Sequence, residues 1–188
     1  MYKLCKTEQS ARRQRLLEQA LLEAMAERPY DSISISDLCT QAGVPRKAFY
    51  RYFSGKEGAL YSLIDHTLLE FENFSSAANP NRERPWQESL EIYFRFWLDR
   101  RVLLEALVKN DMSQIVVIQS VKCAMSSQGV PQKFRRWQSM DIEEKAIQFI
   151  LSGLMAMVIA WCRAGFPESP REMAATAARL LTEPLFRV

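Results

Sequence analysis

Between Gly43 and Glu57 the chain reads GVPRKAFYRYFSGKE, in which Arg46, Lys47, Arg51 and Lys56 are basic and only Glu57 is acidic. Cations spaced along a helix among aromatic rings suit contact with a polyanion. Each can hold a phosphate, and an arginine fork matches the O6 and N7 acceptors of guanine. On a helix starting near Arg46, the side chains of Arg46, Lys47, Tyr50 and Arg51 share one arc, while Ala48, Phe49 and Phe53 lie largely on the other. That division predicts a basic outer face over an apolar anchor. A solvated helix face in an ordinary bundle would account for the charge alone, so the reading rests on the surrounding elements.

The charge is unevenly placed. Net charge is +3, with ten Lys/Arg against seven Asp/Glu in residues 1–60 and fifteen of each in residues 61–188. A basic module joined to a neutral one points the N-terminal third toward a polyanion. Over residues 10–27, Leu16, Leu17, Ala20, Leu21, Ala24 and Met25 recur at the helix period. Arg28-Pro29-Tyr30 ends that helix, because proline cannot continue it. Ser34 and Asp37 have the spacing of a capping box for a short second helix. Gly43 stops this helix by supplying left-handed backbone, and Pro45 suits the start of a third. Three helices with a tight glycine turn between the last two predict a helix-turn-helix, whose second helix enters the major groove. Arg46 and Lys47, at the start of that helix, are expected to reach base edges. Tyr50 and Arg51 are expected on phosphates, with Lys56 adding charge at the N-terminus of the next helix.

At this point a family likeness becomes specific. ISISDLCTQAGVPRKAFYRYFSGKEGAL resembles the DNA-binding signature of the tetracycline-repressor-like (TetR) family of bacterial regulators. The matching elements are the Ser34 cap, Asp37-Leu38, Ala42-Gly43-Val44, Tyr50, Phe53, Lys56-Glu57 and Leu60. The resemblance implies DNA contacts at Arg46, Lys47, Ala48, Tyr50, Arg51 and Lys56, with Ser36 assisting from the second helix and Arg12 and Arg13 near backbone phosphates. It further implies a homodimer on a palindromic double-stranded operator, most often repressing and released by a small-molecule effector. Two positions depart from the pattern: Pro45 stands where the family usually carries a hydroxyl cap, and Cys39 replaces a common alanine.

The expected fold is all-α: an N-terminal helix-turn-helix domain (1–55) joined to a helical effector-binding and dimerisation bundle (56–188). A helix from Lys56 carries the stripe Leu60, Leu63, Ile64, Thr67, Leu68 and Phe71. After a polar linker at 75–85, helices are expected near 86–99, 100–109, 112–126, 141–165 and 170–183, with breaks at GVPQKF (129–134) and at 166–170. Between Ala146 and Trp161 apolar residues occur all round the helix, which therefore needs two partners. Ile150, Gly153, Leu154, Met157 and Trp161, with Ala174, Ala177, Ala178 and Leu181 of the last helix, are the expected dimer surface. The alternative is one central buried helix in a monomer. Phe71, Phe94, Trp97, Met112 and Trp137 are the expected lining of an apolar effector pocket, against the default of plain core. His66 is expected at the surface or a pocket rim.

Other classes are disfavoured. Four scattered cysteines and one histidine form no metal-ligand spacing, so neither metal nor cofactor is expected, and the thiols read as reduced. No HExxH, GxSxG, P-loop or paired acid–base set is present, so no enzyme is expected. The N-terminus lacks an apolar signal core. The longest apolar run, AIQFILSGLMAMVIAWC, falls short of the roughly 20 residues that span a bilayer, so a cytoplasmic protein without a membrane partner is expected. The competing reading is a basic helical interaction or membrane-surface module. A preference among duplex sequences separates the two, because lipids carry no base edges.

Overall fold

The computed structural model describes residues 2, 7–78, 85–126 and 140–183, and the helices among them form an all-α fold. Helix α1 (Glu8–Glu27) opens on a Thr7 cap whose hydroxyl accepts from the Ser10 amide, and it buries Leu17, Ala20, Leu21, Ala24 and Met25. After Pro29 a 3-10 turn, Tyr30–Ser32, leads into α2 (Ile35–Ala42). The capping box forms as expected: the Asp37 amide donates to Ser34 Oγ at 3.1 Å and the Ser34 amide to Asp37 Oδ2 at 3.2 Å. Those hydrogen bonds, with Arg28 nearby, hold the Asp37 carboxyl below the ordinary carboxylate range. Gly43 adopts the left-handed conformation at φ 62°, and the Val44 amide donates back to the Cys39 carbonyl at 2.9 Å. Helix α3 (Arg46–Tyr52) follows, with Pro45 at its cap position. Any side chain at position 43 would be strained by that φ whatever the space around it.

Helix α4 (Lys56–Ala78) belongs to both halves of the molecule. It packs on α1 and also meets α5 (Trp86–Asp99) and α7 (Ser113–Ser126). Helix α6 (Arg101–Lys109) lies against α1 and α8 (Met140–Arg163), α7 runs along α8, and α9 (Pro170–Thr182) covers α5. One hydrophobic cluster runs from Leu17 and Phe49 through Leu60 and Trp97 to Trp161 and Ala177. Each helix expected beyond residue 85 is present with ends shifted by at most about two residues. The expected linker is shorter at its start, because α4 remains helical to Ala78. The break at 129–134 and Trp137 lie outside the described residues.

The last two helices correct the expected dimer surface. Leu154, Trp161, Ala174 and Ala177 are buried within the chain's own core. Trp161 packs against Phe94 and Phe166 and donates its indole N–H to the Glu168 carbonyl at 3.1 Å, pinning the turn into α9. Ile150, Met157 and Ala178 are half-buried beside them, leaving Gly153 and Leu181 outward. The outward stripe of α8 is Phe149, Gly153, Ala156 and Ala160, and Phe149 is 74% exposed. Four of the expected surface residues thus turn inward, because a helix apolar all round gives no phase signal in the sequence. The helical segment is also longer than its apolar run: Glu144–Arg163, 20 residues with mean hydropathy 1.7, is long and apolar enough to cross a membrane by length and composition. Its inner side is occupied by packing on α6 and α7.

The end of α1 is held by side chains from α6. Lys109 Nζ donates to the Ala26 carbonyl at 2.6 Å, and Asn110 Nδ2 to the Met25 carbonyl at 3.2 Å. Asn110 Oδ1 also accepts from the Tyr30 amide at 2.6 Å. These bonds satisfy groups that a helix end leaves unmade. Asn110→Ala is expected to destabilise the chain by about 2 kcal/mol, since several part-buried partners lose their bonds together. Thermal unfolding of the variant checks this, and an unchanged midpoint would refute it.

Candidate nucleic-acid interface

The outer surface of the helix-turn-helix is built from an apolar anchor outward. Phe49 and Phe53 are fully buried, with ring centroids 5.2 Å apart, and Tyr52 is buried beside them. A seven-residue helix has little stability of its own, so these anchors and the backbone bonds at its ends hold α3 in place. The opposite arc is solvent-facing: Arg46, Lys47, Tyr50 and Arg51 are all exposed. Tyr50 turns its hydroxyl toward Arg46, whose Nη2 donates to it at 3.3 Å while the guanidinium lies 5.8 Å from the ring centroid. That pairing stiffens a long side chain before any partner arrives, leaving the remaining guanidinium donors outward.

From α2, Ser36 and Thr40 face the same side, one turn apart. With Gly43 and Arg46 they line a shallow hollow of about 400 Å³ between the two helices. Thr40 was not anticipated as a surface group here. Its signal in the sequence was the four-residue spacing from Ser36, which puts both on one face.

Two expected contacts are placed otherwise. Ala48 is buried, because it lies on the anchored side of α3 with Phe49. The wheel reading had it there, and the family resemblance pulled it outward. Lys56 does not extend freely into solvent. Its ammonium donates to the carbonyls of Tyr30 (2.6 Å), Ile33 (3.0 Å) and Asp31 (3.2 Å) and sits 4.4 Å from the Tyr30 ring centroid. Three carbonyls and an aromatic face saturate an ammonium's three donors. In this structure Lys56 ties the α1–α2 turn to the start of α4 and thereby positions α2. Burial pushes the Tyr30 phenol up to about 12.

His66 is neither surface nor pocket rim. Its Nδ1 lies 2.9 Å from Glu18 Oε2, and the Glu18 carboxylate is buried between α1 and α4. Ser62 donates to Glu18 at 2.6 Å, and Gln14 donates to Ser62 at 2.7 Å. This polar string fixes how α4 leaves the helix-turn-helix. The sequence carried no signal for it beyond polar residues on apolar stripes. Among the described residues, no group of three or more His, Cys, Asp or Glu could hold a metal ion.

The expected effector-pocket residues are split. Phe94 and Trp97 are fully buried, Phe71 and Met112 are half-buried, and Trp137 lies outside the described residues. Phe71 meets Tyr93 and Phe96 edge-on, at 5.6 and 5.0 Å between ring centroids. The Trp97 indole N–H, beside Tyr93, lacks a well-placed acceptor, and burial pushes the Tyr93 phenol far up. Cys39, Cys123 and Cys162 are thiols outside any disulfide, each pushed up by burial, Cys123 to about 11 with its Sγ–H donating to Glu72 Oε1 at 3.6 Å. Such thiols are poor nucleophiles at neutral pH.

The comparisons agree with this geometry. Residues 17–60 match the family model described as bacterial regulatory proteins, tetR family. The transcriptional regulator EthR of Mycobacterium tuberculosis is 30% identical over 87 residues, which is 44% of this chain and 40% of that protein. The dhaKLM operon activator DhaS of Lactococcus lactis is 26% identical over 98 residues, covering 52% of this chain and 50% of that protein. The chain thus spans about half or less of the curated relatives it matches. Among solved structures, a TetR-family protein from Syntrophomonas wolfei superposes with a TM-score of 0.64 at 15% identity, covering 94% of this chain and 97% of that one. At that identity the likeness concerns the fold.

Lys56→Met is expected to lower stability by about 2 kcal/mol, because it strips charge-assisted hydrogen bonds from two part-buried carbonyls and one exposed one. Thermal unfolding without DNA decides the point. A lysine serving only as a phosphate contact would leave the midpoint where it is.

Proposed function

We propose that this chain, a TetR-family helix-turn-helix transcriptional regulator, works as a homodimer that reads a palindromic operator and is released from it by a small-molecule effector. The single observation that carries the reading is the outward arc of α3, where Arg46, Lys47, Tyr50 and Arg51 stand exposed over a buried aromatic anchor. Arg46, braced by Tyr50, is suited to a bidentate contact with guanine. Lys47, Arg51 and Ser36 are suited to positioning contacts on the backbone. Lys56 acts one step back, by holding the turn that aims α2. Repression rather than activation is the family habit and is carried over as such. The work of such a protein is binding rather than catalysis, and its place is the cytoplasm, where the DNA is.

A two-fold dimer supplies what a palindrome requires, two recognition helices about one DNA turn apart. The outward face of α8 fits that role. Phe149 is 74% exposed, and beyond it Gly153, Ala156 and Ala160 offer a path of small residues for close helix approach, and Leu180 and Leu181 of α9 are also exposed. A Cβ at Gly153 would meet nothing within 4 Å among the described residues, which leaves space there for a second copy. An effector is best accommodated by the aromatic interior of the larger unit, residues 56–188. There the Trp97 N–H, which lacks a well-placed acceptor, would give an apolar ligand one polar anchor beside Tyr93 and Phe96, with Phe71, Phe94 and Met112 as the expected apolar lining of the same hydrophobic cluster. Binding would act as a population shift, favouring a tilt of α4 that no longer suits the operator.

Selection of random duplexes by the full chain tests the proposal, with an inverted repeat expected in the bound pool. Arg46→Ala should relax preference at one position of each half-site by about 1–3 kcal/mol while the other positions hold. A pool without enrichment, from folded protein offered candidate effectors and none, would overturn sequence-specific reading and favour the basic surface module. The dimer is checked separately: Phe149→Glu should shift sedimentation from dimer to monomer, and a wild-type monomer at micromolar concentration would refute the assignment.

A further inference from the structure

Helices α1 and α6 run side by side in the same sense, and their seam is closed at one end only. At the C-terminal end, Lys109 and Asn110 bond the last carbonyls of α1. Toward the other end the two helices flank a cleft of about 480 Å³, whose third wall is the middle of α4. That volume lies in the range of small-molecule sites. Leu16 of α1 and Val102 of α6 both line it, and they are 43% and 49% exposed, an apolar lining left open to water.

The polar lining is rich in donors. Glu70 of α4 bridges two guanidiniums, taking Arg15 Nη1 on one oxygen at 3.2 Å and Arg100 Nη2 on the other at 3.1 Å. Its carboxylate is thereby occupied, while each arginine keeps further N–H groups. Arg12 adds a third guanidinium at the rim. Of the other acids, Glu18 is buried, bonded to Ser62 and His66, and lies 3.9 Å from the same Arg15 Nη1 that meets Glu70, which leaves Arg15 Nη2 and Nε for a ligand, and Asp99 is exposed at the edge. Unfilled guanidinium donors beside open leucine and valine call for an acceptor joined to an apolar body.

We propose that this cleft is a second regulatory site, distinct from the aromatic interior of the larger unit, and that it takes an amphipathic organic anion such as a medium-chain carboxylate. The carboxylate sits on Arg12 and Arg15, and the chain covers Leu16 and Val102. Because α1 and α6 are clasped at their far ends, an occupant works like a wedge in a hinge. It sets the splay of α1 against the body and with it the direction of α3.

Decanoate is the probe, with decylammonium and decanol as matched controls, titrated into the full chain by calorimetry in the absence of DNA. Decanoate should bind saturably, with protection from hydrogen exchange confined to the cleft walls, residues 12–22, 63–70 and 99–103. Decylammonium and decanol should bind at least ten times more weakly. Val102→Glu, at a half-exposed position that leaves folding intact by circular dichroism, should weaken decanoate at least tenfold. Three results overturn the proposal: no saturable binding, equal binding of decanol, or affinity unaltered by Val102→Glu with protection appearing around Phe71 and Trp97 instead. None of them touches the reading of DNA, which is measured separately by duplex selection.

Discussion

The open C-terminal end of α1 is the constraint around which this molecule is assembled. A helix leaves its last carbonyls without partners, and burying them unpaired is costly. Here the bonds come from distant parts of the chain: Lys109 and Asn110 from the end of α6, and Lys56 from the start of α4, which takes the carbonyls of the turn beyond. Three side chains thereby decide where the helix-turn-helix sits relative to everything that follows. Helix α3 is too short to orient itself, so its direction is inherited from α1 and α4. The choice of donors also matters. Two are ammonium groups, whose bonds to carbonyls are stronger than neutral ones.

The second tie lies along the α1–α4 interface, and its character is different. A buried carboxylate costs free energy unless its oxygens are met, and removing one partner of such a group leaves it stranded. Glu18 is met by Ser62 and His66, while Gln14 completes the string onto Ser62. Apolar packing of Leu17 and Leu21 against Leu60 and Ile64 would tolerate a small slide of one helix along the other. The polar string does not, because a shift of one residue breaks every bond in it. Register is thus set by polar groups on a surface whose favourable free energy is apolar.

Local signals were legible in the sequence. Ser34, Asp37 and Gly43 specify a cap, a capping box and a left-handed stop through interactions within a few residues, and all three appear as read. Helix periods located the elements beyond residue 85 for the same reason. What failed depended on distant partners. Nothing near Lys56 in the chain tells that Tyr30 and Ile33 will surround its ammonium, and nothing near His66 announces Glu18, 48 residues earlier. On α8 the failure was one of phase. Leu154 and Trp161 look no different from Phe149 in sequence, and only the packed body decides that the first two turn inward.

These arrangements bear on how a signal crosses such a fold. Helix α4 begins at the Lys56 clasp, passes the Glu18 string, and ends among Phe71, Phe74 and Phe96 in the body. On the proposed effector mechanism, a rotation that starts among those rings meets a string that resists sliding and a clasp that fixes the far end to the α1–α2 turn. The motion must instead pass to α1 as a change of angle. Helix α1 has one seam closed on α6 by Lys109 and Asn110 and one seam left open at Leu16 and Val102. Closing at one end and freedom at the other is the mechanical condition for a hinge, and it places the axis at the C-terminal end of α1.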